Sequence, residues 1–160
     1  MHTIEKDYIS KHGYRCIVLM YCDMGHRNGY VGIPDSHPLY GVEYDQSSDL
    51  LRIDPEMTVG KRGIIPLVCG DKENVRPDLY FDVHGSLTYS DGGDYPVKSD
   101  PQLWWFGFDC GHHGDGCDVS VMPESKRTFF ASPYPVRSTE YVTAECNRLS
   151  EQLFLLEKRD

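Results

Sequence analysis

The sequence predicts an α+β fold in which a mostly antiparallel, aromatic-rich sheet is packed by a C-terminal amphipathic helix. Three observations carry that expectation. Short apolar runs rich in strand formers recur at residues 14–21, 79–83 and 103–108, each too short for a buried helix. One longer stretch, 139–158, places Val142, Cys146, Leu149, Leu153 and Leu156 at alternating spacings of four and three, the single stripe of an amphipathic helix. Segments rich in Gly, Asp and Pro (90–101, 111–117, 132–135) separate the later elements.

Taken in order, residues 1–12 are polar and read as a short helix or a loose arm. The run 14–21 (YRCIVLMY) is the first strand. The segment CDMGHRNG follows, and its Asn28-Gly29 pair favours positive φ, so it marks a hairpin with 30–33 as the returning strand. Two prolines make 34–41 (PDSHPLYG) an ordered loop. The pattern is weak across 44–63, where Asp54-Pro55 starts a turn, and Pro66 places the run 64–69 at a sheet edge. The strands 79–83 and 103–108 come next. The terminal helix, 138–158 with its cap, has Ser138 as N-cap and Glu140 in the first turn, where a carboxylate favours the helix dipole.

A chain of 160 residues fits one domain, 1–160, with a core of its own. A net charge of −9 and a pI near 5.1 argue against general nucleic-acid binding, which needs clustered cations to displace counterions. They leave room for a small anionic ligand held by one arginine or a few backbone amides. No apolar run approaches the roughly 20 residues of a membrane span, and the first ten residues lack the apolar segment of a secretion signal. A soluble, cytoplasmic protein with reduced thiols is the expectation. Cys16 and Cys146 then read as small core residues. Cys110 and Cys117, flanking a His-rich turn, are the pair with a chemical case.

The segment 103–118 (LWWFGFDCGHHGDGCD) concentrates that chemistry: an apolar strand ends in a turn crowded with carboxylates, imidazoles and thiols. A second segment, 77–93, repeats the design with His84 followed by a Gly/Ser/Asp turn. Two strand ends of this kind suggest one shared polar pocket. His84, Asp109, His112 and Asp115 form a candidate set for zinc or manganese, and Cys69 is an alternative in place of His84. A polar turn held together by hydrogen bonds explains the same residues without a metal. His84-Gly85-Ser86-Leu87-Thr88 resembles the His-x-Ser/Thr arrangement of two-histidine phosphoesterases, which carry the motif twice; here it occurs once. His84 or His112 suits general acid–base work near neutral pH, with Asp82 or Asp109 orienting the ring. The plainer alternative is a strand-end histidine bonded to backbone. Tyr30, His37, Tyr40 and Tyr44 are candidates for an aromatic rim, and Arg62 between glycines for an anion contact. No phosphate loop, nucleophile elbow, dinucleotide fingerprint or kinase signature is present.

Four blocks, GYVGIPDSHPLYG (29–41), DVHGSLTYS (82–90), WWFGFDCGHHGD (104–115) and EYVTAEC (140–146), together resemble a group of small accessory proteins encoded by bacteriophages and prophages. The resemblance covers most of the chain from Gly13 onward. It implies action on a bacterial host from within its cytoplasm: inhibiting a defence protein, removing a nucleotide signal, or adjusting metabolism.

Three functions follow as expectations. The first is an accessory protein countering host immunity by sequestering a small nucleotide-like ligand. His84, Thr88, Asp109, His112 and Asp115 supply its polar contacts, Tyr30 and Trp105 its stacking surface, and Arg62 a phosphate contact. Trp104 and Trp105 point to opposite faces of a strand, so only one of them lines a pocket. The second is a hydrolase or phosphoesterase with the metal set named above. The third is an acidic, anti-CRISPR-like inhibitor that binds a host defence protein, with homo-oligomerisation open in every case.

Overall fold

The computed structural model describes residues 1–53 and 73–158. Five strands form one sheet: β1 (His2–Ile9), β2 (Arg15–Tyr21), β3 (His26–Ile33), β4 (Tyr89–Asp91) and β5 (Trp104–Asp109). Their order across the sheet is β1-β2-β3-β5-β4, and every neighbouring pair is antiparallel. The helices are α1 (Pro77–Tyr80), α2 (Glu124–Phe130) and α3 (Thr139–Glu157), with a 3-10 turn at Val119–Val121. The α+β architecture and the packing of the sheet by the C-terminal helix are as expected. No helix among the described residues is long and apolar enough to cross a membrane.

Period-two alternation sorts the central strands into two faces. Cys16 and Val18 of β2, Val31 and Ile33 of β3, and Phe106 and Phe108 of β5 point one way and are all buried. They meet the predicted stripe of α3, whose Val142, Cys146, Leu149, Leu153 and Leu156 lie in the same core. Truncating one of these leucines to alanine costs about 2–5 kcal/mol. The helix approaches closely because Gly29 has no side chain; a Cβ there would lie 2.4 Å from the Phe108 ring and 2.8 Å from Cys146 Sγ. Ser138 caps α3 by accepting from the Tyr141 amide at 3.1 Å, a contact worth about 1 kcal/mol. On the other face, Ile17, Leu19, Tyr30 and Trp105 form a second cluster, packed by Tyr89, Tyr95, Val97 and Leu103. Burial on both faces explains why β2 and β5 read as continuous apolar runs.

Four elements differ from their sequence reading. The polar N-terminus is neither arm nor helix but β1, paired with β2 from His2↔Tyr21 to Ile9↔Arg15 with an irregularity between Ile4 and Lys6. It is an edge strand exposed on both faces, so no apolar alternation marks it, and its charges and bulge suit an unpaired edge. Cross-strand pairs hold it: Asp7 with Arg15, and Glu5 with Arg27 of β3. The hairpin turn falls earlier than Asn28-Gly29. The Met24 and Gly25 amides donate to the Tyr21 carbonyl, and Gly25 takes the positive φ of 69°. Asn28 and Gly29 are paired residues of β3, opposite Leu19 and Val18. The run 79–83 is not a strand: Pro77 opens the short α1, and Phe81 and Val83 enter the core from the extended chain beyond it. The strand β4, by contrast, lay hidden in a segment rich in turn residues. The expectations for Asp54-Pro55, Arg62, the run 64–69 and Cys69 lie outside the described residues.

Candidate functional site

The turn after β5, the turn after Val83 and the start of α3 meet at one end of the sheet. Asp115 is their hub. Its side chain is 2% exposed, and it accepts from His84 Nε2 at 2.8 Å, from Arg137 Nε at 2.9 Å and from the His112 amide at 3.1 Å. An ionised carboxylate only accepts, so the His84 proton sits on Nε2. A neutral ring then accepts at Nδ1 from the Tyr141 hydroxyl, 2.8 Å away. The Arg137 guanidinium lies 5.0 Å over the Tyr141 ring, which closes the circuit through a cation–π contact. Burial pushes the Asp115 carboxyl up, but Arg137, His84 and the His112 amide outweigh it and hold the group below its ordinary value of 3.8. Burial and neighbouring Glu145 raise the Tyr141 hydroxyl.

A looser set lies beside this hub. Asp109, 30% exposed, accepts from the Gly111 amide at 3.0 Å and from Thr88 Oγ1 at 3.2 Å. His112 Nε2 stands 3.2 Å from Asp109 Oδ1 but out of line for a hydrogen bond, which leaves that nitrogen unpaired. The His112 ring rests on Gly85, where φ is +66° and an added Cβ would come within 2.2 Å of the imidazole. Only glycine permits both that backbone and that approach. The His84 and His112 ring centres are 6.2 Å apart. A cleft of about 190 Å³, lined in part by Phe81, Asp82, Val83 and Ser86, shares Gly85 with this set.

Five of the predicted residues, His84, Thr88, Asp109, His112 and Asp115, are thus brought together. Tyr30 and Trp105 are not available as stacking surface. Both project from the sheet face away from α3, 3% and 0% exposed, and the Tyr30 hydroxyl is tied to Tyr95 and Asn28. Their place follows from strand alternation, which sends Trp105 opposite to Phe106. The aromatic rim does not form either. His37 is a core residue, bonded through Nε2 to the Leu153 carbonyl and through Nδ1 to the Leu39 amide. Tyr40 reaches the Gln102 carbonyl.

The metal expectation meets a different obstacle. Both nitrogens of His84 and both oxygens of Asp115 are already engaged. Among the described residues, no three His, Cys, Asp or Glu side chains are grouped to hold a metal ion. Cys110 and Cys117 are free thiols rather than a disulfide. Burial, with Asp115 and Asp109 adding to it, pushes the Cys110 thiol up to about 12, so it stays protonated. Asp82 orients neither histidine; it pairs with Arg148 of α3 at 2.6 Å.

Two residues central to the site, Arg137 and Tyr141, had no signal in the sequence. Arg137 precedes the helix cap and Tyr141 sits in the first turn, so each looks like an ordinary surface position of an amphipathic helix. Arg137 is 29% exposed, and among the described residues its terminal nitrogens have no partner. Chemically, the hub is closed and the neighbouring set is open. Arg137 offers donors, Asp109 offers acceptors, the Thr88 hydroxyl already donates to Asp109, and no ring nitrogen of His84 is free to act as a base.

No family model, no curated protein and no solved structure matches this chain.

Proposed function

We propose that the chain is a ligand-binding protein whose open polar set receives the phosphate and sugar end of a small nucleotide-like molecule. One observation carries the reading: His84, Thr88, Asp109, His112 and Asp115 converge from separate chain segments around an arginine whose terminal nitrogens have no hydrogen-bond partner among the described residues. Arg137 and His112 suit phosphate oxygens, because a guanidinium presents paired donors. Asp109 suits ribose hydroxyls, which donate. With the neighbouring cleft below the roughly 300 Å³ of an enclosing small-molecule site, the ligand lies on an open shelf with its base outside. Binding without turnover fits a histidine that has both nitrogens occupied. The likeness of four sequence blocks to phage accessory proteins supports a role in sequestering a host signal to counter immunity.

Isothermal titration of the full chain with adenosine monophosphate tests this reading. Saturable binding, weakened about tenfold or more by Arg137→Ala, is expected. An absence of saturable binding, or an unchanged constant in the variant, contradicts it.

A further inference from the structure

A separate cavity of about 330 Å³ opens between the β1–β2 hairpin and the middle of α3. It is lined by Tyr8, Ile9, Ser10, Lys11, His12 and Asn147. None of these residues belongs to the site above. The helical rise puts Asn147 roughly 9 Å beyond Tyr141 along α3.

What marks this cavity is a gathering of three lysines on a chain of net charge −9. Elsewhere most arginines are matched: Arg15, Arg27, Arg52, Arg76, Arg137 and Arg148 each pair with a carboxylate, whereas Arg127 holds the Met122 carbonyl. Lys11 lines the cavity, and Lys6 stands 5.2 Å over the ring of Tyr8, another lining residue. Lys158 stands 5.2 Å over the Phe154 ring, which stacks on His12 at 4.5 Å. None of these three lysines has a carboxylate partner among the described residues. Of the acids on these elements, Asp7 is paired with Arg15, and the Glu157 carboxylate is directed to the Tyr14 hydroxyl rather than to a lysine. Glu151, one turn along α3 from Asn147, is exposed.

The neutral groups point the same way. Asn147 Oδ1 accepts from the Tyr8 hydroxyl at 2.7 Å, and among the described residues its amide nitrogen has no acceptor. His12 Nε2 is buried with no partner among the described residues. The acceptors are used internally: the Ser10 hydroxyl is bonded to Ser150 at 2.6 Å. Ile9, 63% exposed, adds an apolar surface at the rim. The volume lies at the small end of ligand cavities. Lysine binds phosphate as a compact charge without needing the planar geometry of arginine.

We propose that this cavity is a second anion site, taking a small phosphate monoester. Lys11 and the Asn147 amide hold the phosphate, Lys6 and Lys158 supply the surrounding field, and the organic part rests on Tyr8 and Ile9.

The test is an NMR titration of the isotope-labelled full chain with phenyl phosphate, with benzoate run in parallel. Saturable shifts are expected in the amides of residues 8–12 and in the Asn147 side chain. Benzoate should bind more weakly. Lys11→Glu, at an exposed position, should weaken binding at least about tenfold, while Lys126→Glu, an exposed lysine of α2 that does not line the cavity, leaves it unchanged. No shifts in 8–12, shifts confined to 109–115, an unaltered affinity in Lys11→Glu, or equal binding of benzoate would each overturn the proposal.

Discussion

Asp109 and Asp115 bracket the same turn, yet their surroundings could hardly differ more. Asp115 is almost wholly buried and has a donor from His84, another from Arg137 and a third from the backbone. Asp109 is partly exposed and holds one hydroxyl and one amide, with an imidazole nearby that is misaligned for a bond. A buried carboxylate is tolerable only when its lone pairs are satisfied, so Asp115 fixes the turn, the His84 loop and the start of α3 relative to one another. Asp109 fixes little and stays accessible. The closed half positions; the open half is placed to bind.

Removing Asp115 gives the largest expected effect. Asp115→Ala leaves His84 and Arg137 without their shared acceptor and should cost about 3 kcal/mol, visible as a large fall in the urea midpoint. If the loss is no greater than for an exposed aspartate, the hub is not structural.

Next comes Gly85→Ala. The left-handed backbone and the 2.2 Å approach to the His112 ring together should cost about 2 kcal/mol. Because the strain falls on the open half, the variant should also displace His112 and weaken ligand binding. A variant as stable as the parent would mean that the turn relaxes freely.

The pH dependence should separate the two carboxylates. The Asp115 carboxyl sits below its ordinary value in the folded protein, so its contribution is fully present above that ordinary value and is lost as pH falls through the folded one. Unfolding measured at about pH 5 and about pH 3 should show a drop that Asp115→Asn diminishes. Equal slopes in the two proteins would remove Asp115 from the account.

The smallest effect on stability belongs to Asp109→Asn, below about 1 kcal/mol for so exposed a contact. Its effect on binding should exceed its effect on folding. A variant that melts early and binds normally would reverse the assignment of the two halves.

The legible parts of this molecule are those written in local periodicity. The helix α3 was readable because Val142, Cys146, Leu149, Leu153 and Leu156 repeat on one face, and β5 because 103–108 is apolar and short. The turn chemistry of Asn28-Gly29 was real but outweighed, since β3 gains more by pairing on both sides with β2 and β5. An edge strand such as β1 owes its conformation to one neighbour and shows no pattern of its own. The site follows the same division. Glycine-rich polar turns at strand ends pointed to His84, Asp109, His112 and Asp115. Nothing local could announce that Arg137 reaches Asp115, or that the Tyr141 hydroxyl bonds His84 from 57 positions away. The alternation rule forecast that only one of Trp104 and Trp105 could face a pocket. It could not say which face would be covered; Trp105 went to the rear cluster, and Trp104 bonds the Val42 carbonyl instead.

The most direct test of the open half as a binding site is mass spectrometry of the protein purified from expressing cells, under native and denaturing conditions, beside an Arg137→Ala/His112→Ala variant. The account predicts a stoichiometric mass excess of a few hundred daltons on the native protein, lost on denaturation and absent from the variant. A bare native mass, or the same excess on the variant, would contradict it.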